Sequence, residues 1–204
     1  MTYIITSTGR KVYELSPDDS EGVCTIEEIG DALSKLCRFR GHCREFYSVA
    51  QHSYLVSRLA MELARERGQS IAEQLKAGIG GLLHDAHEAY LGDYAKPTKA
   101  RHYVLSLEKT DPISIDDLDR GWNRRIAADL DINVDWLDLK VVTQADADVF
   151  DAEWRDLMAS DSSVESKHPT IVPACPDDAN LLFINQFARL VLELERAGGA
   201  EANS

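Results

Sequence analysis

Two adjacent residues near the middle of the chain, His84 and Asp85 in the run GLLHDAHEAYLGDYAKPTK (81–99), offer an imidazole nitrogen and a carboxylate oxygen to one divalent cation. An isolated His-Asp pair carries little weight, because chance supplies many. Two further polar residues, His52 and Asp146, each interrupt the apolar stripe of a separate predicted helix. An acid or imidazole placed there needs a partner, because burying it alone is costly. Taken singly, His52 reads as a hydrogen-bonded core histidine and Asp146 as a salt-bridge partner. Taken with His84-Asp85, they complete a set of two nitrogens and two oxygens suited to Zn, Mn, Co, Fe or Ni. Such a cation lowers the pKa of bound water and polarises a phosphoryl oxygen.

Hydrolysis also needs a group to move the proton. Glu88 follows His84 by four residues, which on a continuous helix places it on the same face one turn on. Asp93 lies one residue beyond the expected helix stop. Either carboxylate would orient or deprotonate water, or protonate the leaving oxygen. The plain alternative for both is a solvated helix-end acid. Arg38 and Arg40 flank Phe39 ahead of the His52 helix, and Lys96 and Lys99 bracket Pro97. Guanidinium and ammonium groups there match a phosphate, and Phe39 would stack on a base or fill against a sugar. The alternative is ordinary surface cations and a core phenylalanine. His87, beside Glu88, is a candidate to orient a ligand from behind.

The elements that must position these residues are mostly helical. Tyr3–Leu15 alternates weakly around Thr8-Gly9, which predicts a short hairpin or extended arm. Thr25 and Glu28 form a capping-box pattern for a helix ending near Arg38, with Ile29, Leu33 and Leu36 inward. The spacing of Val49, His52, Val56, Leu59 and Leu63 predicts a helix over 47–68. A second runs from about Ile71 to Leu91, and its Gly78, Gly80 and Gly81 imply close approach by another helix. Residues 100–107 read as helix. Ser114 caps a helix with Leu118, Trp122, Ile126 and Leu130. Another spans about Trp136 to Met158, with Leu139, Val142, Asp146, Val149, Phe150, Glu153 and Leu157 on one side. Ser160–Asp178, with Pro169, Pro173 and Pro176, reads as a long loop, and Asn180–Arg196 as a last amphipathic helix.

The chain has 204 residues, 44% of them hydrophobic, enough for a single domain over 1–204 with a core over about 25–158, a loop and helix over 159–196 and a frayed tail over 197–204. A net charge of −13 argues against nucleic acid as the partner. A small phosphorylated ligand remains compatible, since a cation and a few local bases reverse the sign inside one pocket. No segment approaches the roughly 20 apolar residues that cross a bilayer, and the first residues lack a signal-like apolar run. Cys24, Cys37, Cys43 and Cys175 are irregularly spaced, so a cytoplasmic chain with reduced thiols is expected. A structural zinc site on Cys37, Cys43 and His52 lacks the paired knuckle such sites show.

The order H…HD…D, matched by His52, His84-Asp85 and Asp146, resembles the HD-domain metal-dependent phosphohydrolases. HDAHEAYLGDYAKPTK is similar to the HD-x-x-E-x-x-x-G-D-x-x-x-P-x-K stretch of the 5′-deoxyribonucleotidase branch, where the Glu and Asp act on the nucleophilic water. That implies Glu88 and Asp93 here, and the branch's upstream Arg-aromatic pair is matched in type by Arg38-Phe39. ALSKLCRFRGHCREFYSVAQHSYLVS and ADADVFDAEWRDLM resemble the compact phage dATP triphosphohydrolases more closely and select Asp146 over Asp148. The resemblance implies an all-α HD-domain bundle with an N-terminal hairpin or arm. It holds one divalent transition metal (Zn, Co or Mn) on His52, His84, Asp85 and Asp146, with Mg brought by a triphosphate. Glu88 and Asp93 are then catalytic, and Arg38, Phe39 and Lys99 bind substrate. The expected activity is dNTP (dATP) triphosphohydrolysis in a bacterium or phage-infected host, by a homo-oligomer, dimer or higher. The rivals are a 5′-deoxyribonucleotidase acting on dNMP, a non-catalytic nucleotide or metal sensor, and an alarmone hydrolase.

Overall fold

The computed structural model describes residues 3–93, 103–104, 113–158 and 166–201, with the backbone alone at 103–104 and 199–201. The chain opens with the expected hairpin. Strands β1 (Ile4–Ile5) and β2 (Lys11–Val12) pair antiparallel, Ile4 opposite Val12 and Ile5 opposite Lys11. Thr25 caps α1 (Ile26–Lys35) by accepting from the Glu28 amide. Glu28 does not complete the capping box, however. Its buried carboxylate takes Arg10 Nη2 and the Thr8 hydroxyl, each at 2.5 Å, and the Tyr90 hydroxyl at 2.9 Å. One acid thereby fastens the hairpin to α1 and to α4 (Glu88–Leu91). Tyr90 in turn stacks on Trp122 of α5 (Ile115–Asp129), with ring centroids 4.2 Å apart.

Helix α1 stops three residues before the expected end near Arg38. The chain there turns extended to form an antiparallel bridge between Cys37 and Ser48. The Arg38–Gly41 segment between them is a tight turn in which Phe39 and Arg40 hold φ of 55° and 54°. Ser48 then caps α2 (Val49–Glu66), whose Val49, His52 and Val56 are fully buried as the stripe requires.

Helix α3 (Ile71–Leu83) lies among α2, α6 (Lys140–Leu157), α7 (Pro176–Glu201) and the 134–138 turn. Its glycines explain the fit. A Cβ on Gly80 would sit 1.9 Å from the Trp136 carbonyl oxygen, and one on Gly81 would sit 2.9 Å from Ser57 Cα. The helix expected to reach Leu91 ends instead at Leu83. Residues 84–87 form turns closed by three-residue hydrogen bonds, from Ala86 N to Leu83 O and from Glu88 N to Asp85 O, before α4 resumes. Glu88 is therefore not one turn along the helix of His84, and the spacing argument for its placement does not hold.

Other differences are local. Ser114 caps α5 as expected. The helix expected from Trp136 begins at Lys140, because residues 134–138 form a 3₁₀ turn capped by Asn133. Within the span expected to be helical over 100–107, Tyr103–Val104 is a strand (β3) paired with Ile113–Ser114 (β4). The remainder of that span, with Lys96 and Lys99, lies outside the described residues. The last helix starts at Pro176, whose fixed φ suits a first turn, and reaches Glu201. Among the described residues, no helix is long and apolar enough to cross a membrane.

Two outcomes follow. Gly80→Ala should lower stability by about 1–3 kcal/mol, the usual cost of overpacking, read as a shifted urea midpoint at unchanged slope. Burial alone would push the Glu28 carboxyl up, but hydrogen bonds from Arg10, Thr8, Thr6 and Tyr90 win and hold it at about 2. The unfolded chain therefore takes up this proton first. The stabilisation is complete above the ordinary carboxylate value and is lost as pH falls through about 2. Urea titrations from pH 5 to pH 2 should show this slope in the native chain and a flatter one in Glu28→Gln.

Candidate metal centre

Three helical segments bring four side chains to one point. His52 Nε2 of α2 lies 3.4 Å from His84 Nε2, 3.3 Å from Asp146 Oδ1 and 3.6 Å from Asp85 Oδ2. His84 Nε2 lies 3.2 Å from Asp85 Oδ2 and 3.8 Å from Asp146 Oδ1. The cause is the α2–α3 packing. Gly81 lets α3 rest on the backbone of α2 at Ser57, whose hydroxyl donates to the Gly78 carbonyl at 2.7 Å. His52, one turn before Val56, then faces the residue that ends α3.

Both imidazoles are held from behind. His84 Nδ1 lies 2.9 Å from the Gly81 carbonyl oxygen, and His52 Nδ1 lies 2.7 Å from Glu153 Oε1. A carbonyl and a carboxylate only accept, so each Nδ1 carries the proton. Nε2 is thereby the nitrogen of each ring left to face a cation, and it offers its lone pair once the ring is neutral. For bond lengths of about 2.1 Å, tetrahedral ligand atoms stand about 3.4 Å apart. The observed separations and the N₂O₂ donor set fit a divalent transition cation.

The electrostatics agree. Burial would raise the Asp85 carboxyl, but His84, His52 and His87 hold it well below the ordinary range. Burial would raise Asp146 too, and His52 and His84 depress it. Burial and Arg38 push His52 down, yet Glu153 and Asp146 outweigh them and raise it to about 9.

Glu88 is buried, and its carboxylate forms a compact group with Asp85 and His87. His87 Nε2 stands 3.5 Å from Asp119 Oδ2 of α5. Asp93 follows Gly92, half-buried. Arg38 is buried. Its Nη2 and Nε donate to Glu153 Oε2 at 3.0 and 3.3 Å, and its Nη1 lies 3.6 Å from Asp85 Oδ2. The Phe39 ring is 5.4 Å from the Arg38 guanidinium and 6.1 Å from Phe150, which neighbours Trp154 at 5.7 Å. Lys99 lies outside the described residues. Glu153 received no role from the sequence, although an acid seven residues after Asp146 on the same stripe was a readable signal.

Glu153 and Asp146 favour the charged His52 ring and raise it to about 9, so a cation at Nε2 competes with a proton. Calorimetric titration with Zn or Co at pH 7.5, in two buffers of different ionisation heat, should show about one proton released per cation at this nitrogen. Affinity should weaken as pH falls. Binding with no proton release would show that the His52 ring is already neutral at pH 7.5.

The family model described as HD domain matches residues 49–152, half of the chain, and spans His52, His84, Asp85 and Asp146. An uncharacterized Escherichia coli K12 protein, YfdR, is 38% identical over 118 residues, covering 55% of this chain and 56% of its own length. An uncharacterized protein of Rhodobacter capsulatus is 36% identical over 95 residues, covering 46% and 44% respectively. The chain thus spans about half the length of the curated relatives it matches. With the HD pair, the flanking histidine and the distal aspartate all inside the matched region, this chain belongs to the HD-domain family.

Proposed function

We propose that the chain is a metal-dependent phosphohydrolase of deoxyribonucleotides, with a dNTP, dATP first, as substrate and deoxynucleoside and triphosphate as products. The observation that carries this reading is the approach of Asp85 and Asp146 oxygens to within 3.2–3.8 Å of the His52 and His84 Nε2 atoms, themselves 3.4 Å apart, in a chain of the HD-domain family. A divalent cation held there supplies Lewis-acid polarisation of a phosphoryl oxygen and acidifies water. Glu88, packed beside Asp85, orients the attacking water and takes its proton. Asp93, half-buried just after α4, assists it or returns a proton to the departing O5′. The bond broken joins that oxygen to the α-phosphorus. Arg38 Nη1, beside Asp85, and Lys99 receive phosphate oxygens, and Phe39 lines the sugar or base. The dNTP preference is supported by the sequence resemblance; the cation chemistry is supported by the cluster itself.

The deciding experiment offers dNTPs, NTPs and monophosphates with Co, Mn, Zn and Mg, and identifies products. Triphosphate from dATP is expected. Orthophosphate from dAMP would move the substrate to monophosphates, and no turnover across the panel would overturn the enzyme reading in favour of a sensor. Glu88→Gln should cut kcat by about 10²–10⁴-fold while cation binding persists.

A further inference from the structure

Helix α6 meets His52 twice. Asp146 approaches Nε2 at 3.3 Å, and Glu153, two turns later, meets Nδ1 at 2.7 Å. Glu153 is fully buried, and its second oxygen takes the Arg38 fork. Burial would raise this carboxyl, but His52 and Arg38 hold it low. The Tyr47 hydroxyl borders the same acid.

We propose that Glu153 is a positioning residue that fixes His52 in the Nδ1–H form and aims its Nε2 at the cation, with Arg38 as the clamp that orients Glu153. The argument is one of exclusion. A carboxylate cannot donate, so the proton of the 2.7 Å contact resides on Nδ1, and Nε2 is the nitrogen left to face Asp146, His84 and Asp85. Ring rotation is opposed because it would break the Glu153 bond at a ring that is fully buried. Orienting partners of this kind typically change metal affinity 10–100-fold. The inference also revises the expected part of Arg38. Two of its nitrogens are committed to Glu153, and only Nη1 faces the site through Asp85. Substituting Arg38 should therefore weaken cation binding as well as raise KM.

The inference rests on the cation reading of the site, not on any substrate. Full-length protein stripped of metal is titrated with Co(II) against a competing chelator, with the visible absorption of the bound ion as signal. Glu153→Gln keeps an acceptor oxygen toward Nδ1 and should lose about tenfold in affinity; Glu153→Ala should lose about 100-fold. Wild-type affinity in both variants overturns the inference. Should either variant misfold because the buried Arg38 loses the acid that takes two of its nitrogens, the wild-type protein decides alone. Loaded with Zn and carrying ¹⁵N-labelled histidine, it should show His52 protonated at Nδ1 and metallated at Nε2, and the reverse assignment overturns the proposal. Failure of the wild type to bind Co(II) or Zn removes the cation reading and this inference together. Binding insensitive to Glu153 removes this inference alone.

Discussion

Two imidazole rings can aim their Nε2 atoms at one point only if the helices that carry them lie closer than ordinary side chains permit. Here that closeness comes from Gly81 against the Ser57 backbone, with Gly80 seated under the Trp136 carbonyl. Glycine inside a helix costs roughly 1 kcal/mol against alanine, and α3 carries three within four residues. The cost is offset by burial of Ile79, Leu82 and Leu83 on the helix that leads into His84. Everything downstream depends on this contact. The end of α3 fixes His84, the turn after it fixes Asp85 and Glu88, and α6 closes over α2 with Asp146.

The site is acidic like the whole chain, with Asp85, Glu88, Asp146 and Glu153 gathered around one arginine and two histidines. The sequence carries a net −13, yet its buried acids at the cluster are each matched by a nearby cation or donor. Asp85 faces His84 and Arg38, Asp146 faces His52, and Glu153 faces both His52 and Arg38. Buried charges persist only when paired and hydrogen-bonded. Among the described residues, Arg38 is the side chain that links the acid behind His52 to the acid beside His84. Removing its charge would leave two carboxylates competing for the same protons.

His52 and Asp146 were legible because each breaks an apolar stripe, and polar residues in such places need partners. The hairpin, the Thr25 and Ser114 caps and the close approach at the glycines were legible from local chemistry of the same kind. The break after Leu83 was not. No proline or glycine lies between His84 and His87, and apolar periodicity continues through Ala86 and Tyr90, so nothing local announces the switch to tighter turns. That switch is decided by tertiary contacts: the His84 ring takes the Gly81 carbonyl, and Tyr90 is drawn to Glu28 and Trp122. Glu153 was visible on its stripe but not interpretable, since its partners come from residues 101 and 115 positions away. The strand at Tyr103–Val104 depends on a pairing that no local pattern encodes.

The turn that presents Arg38 and Phe39 holds two successive non-glycine residues, Phe39 and Arg40, in left-handed backbone geometry. Such conformations cost on the order of 1–3 kcal/mol each. Glycine at either position would relax the fold, so an engineer seeking a hardier protein would turn to this segment first. Yet the ring of Phe39 is what glycine would delete, and a loosened Arg40 would free the neighbouring guanidinium from its acid. Robustness and activity therefore compete within two residues, and thermostabilisation of this scaffold is better sought on the far faces of α5 and α7.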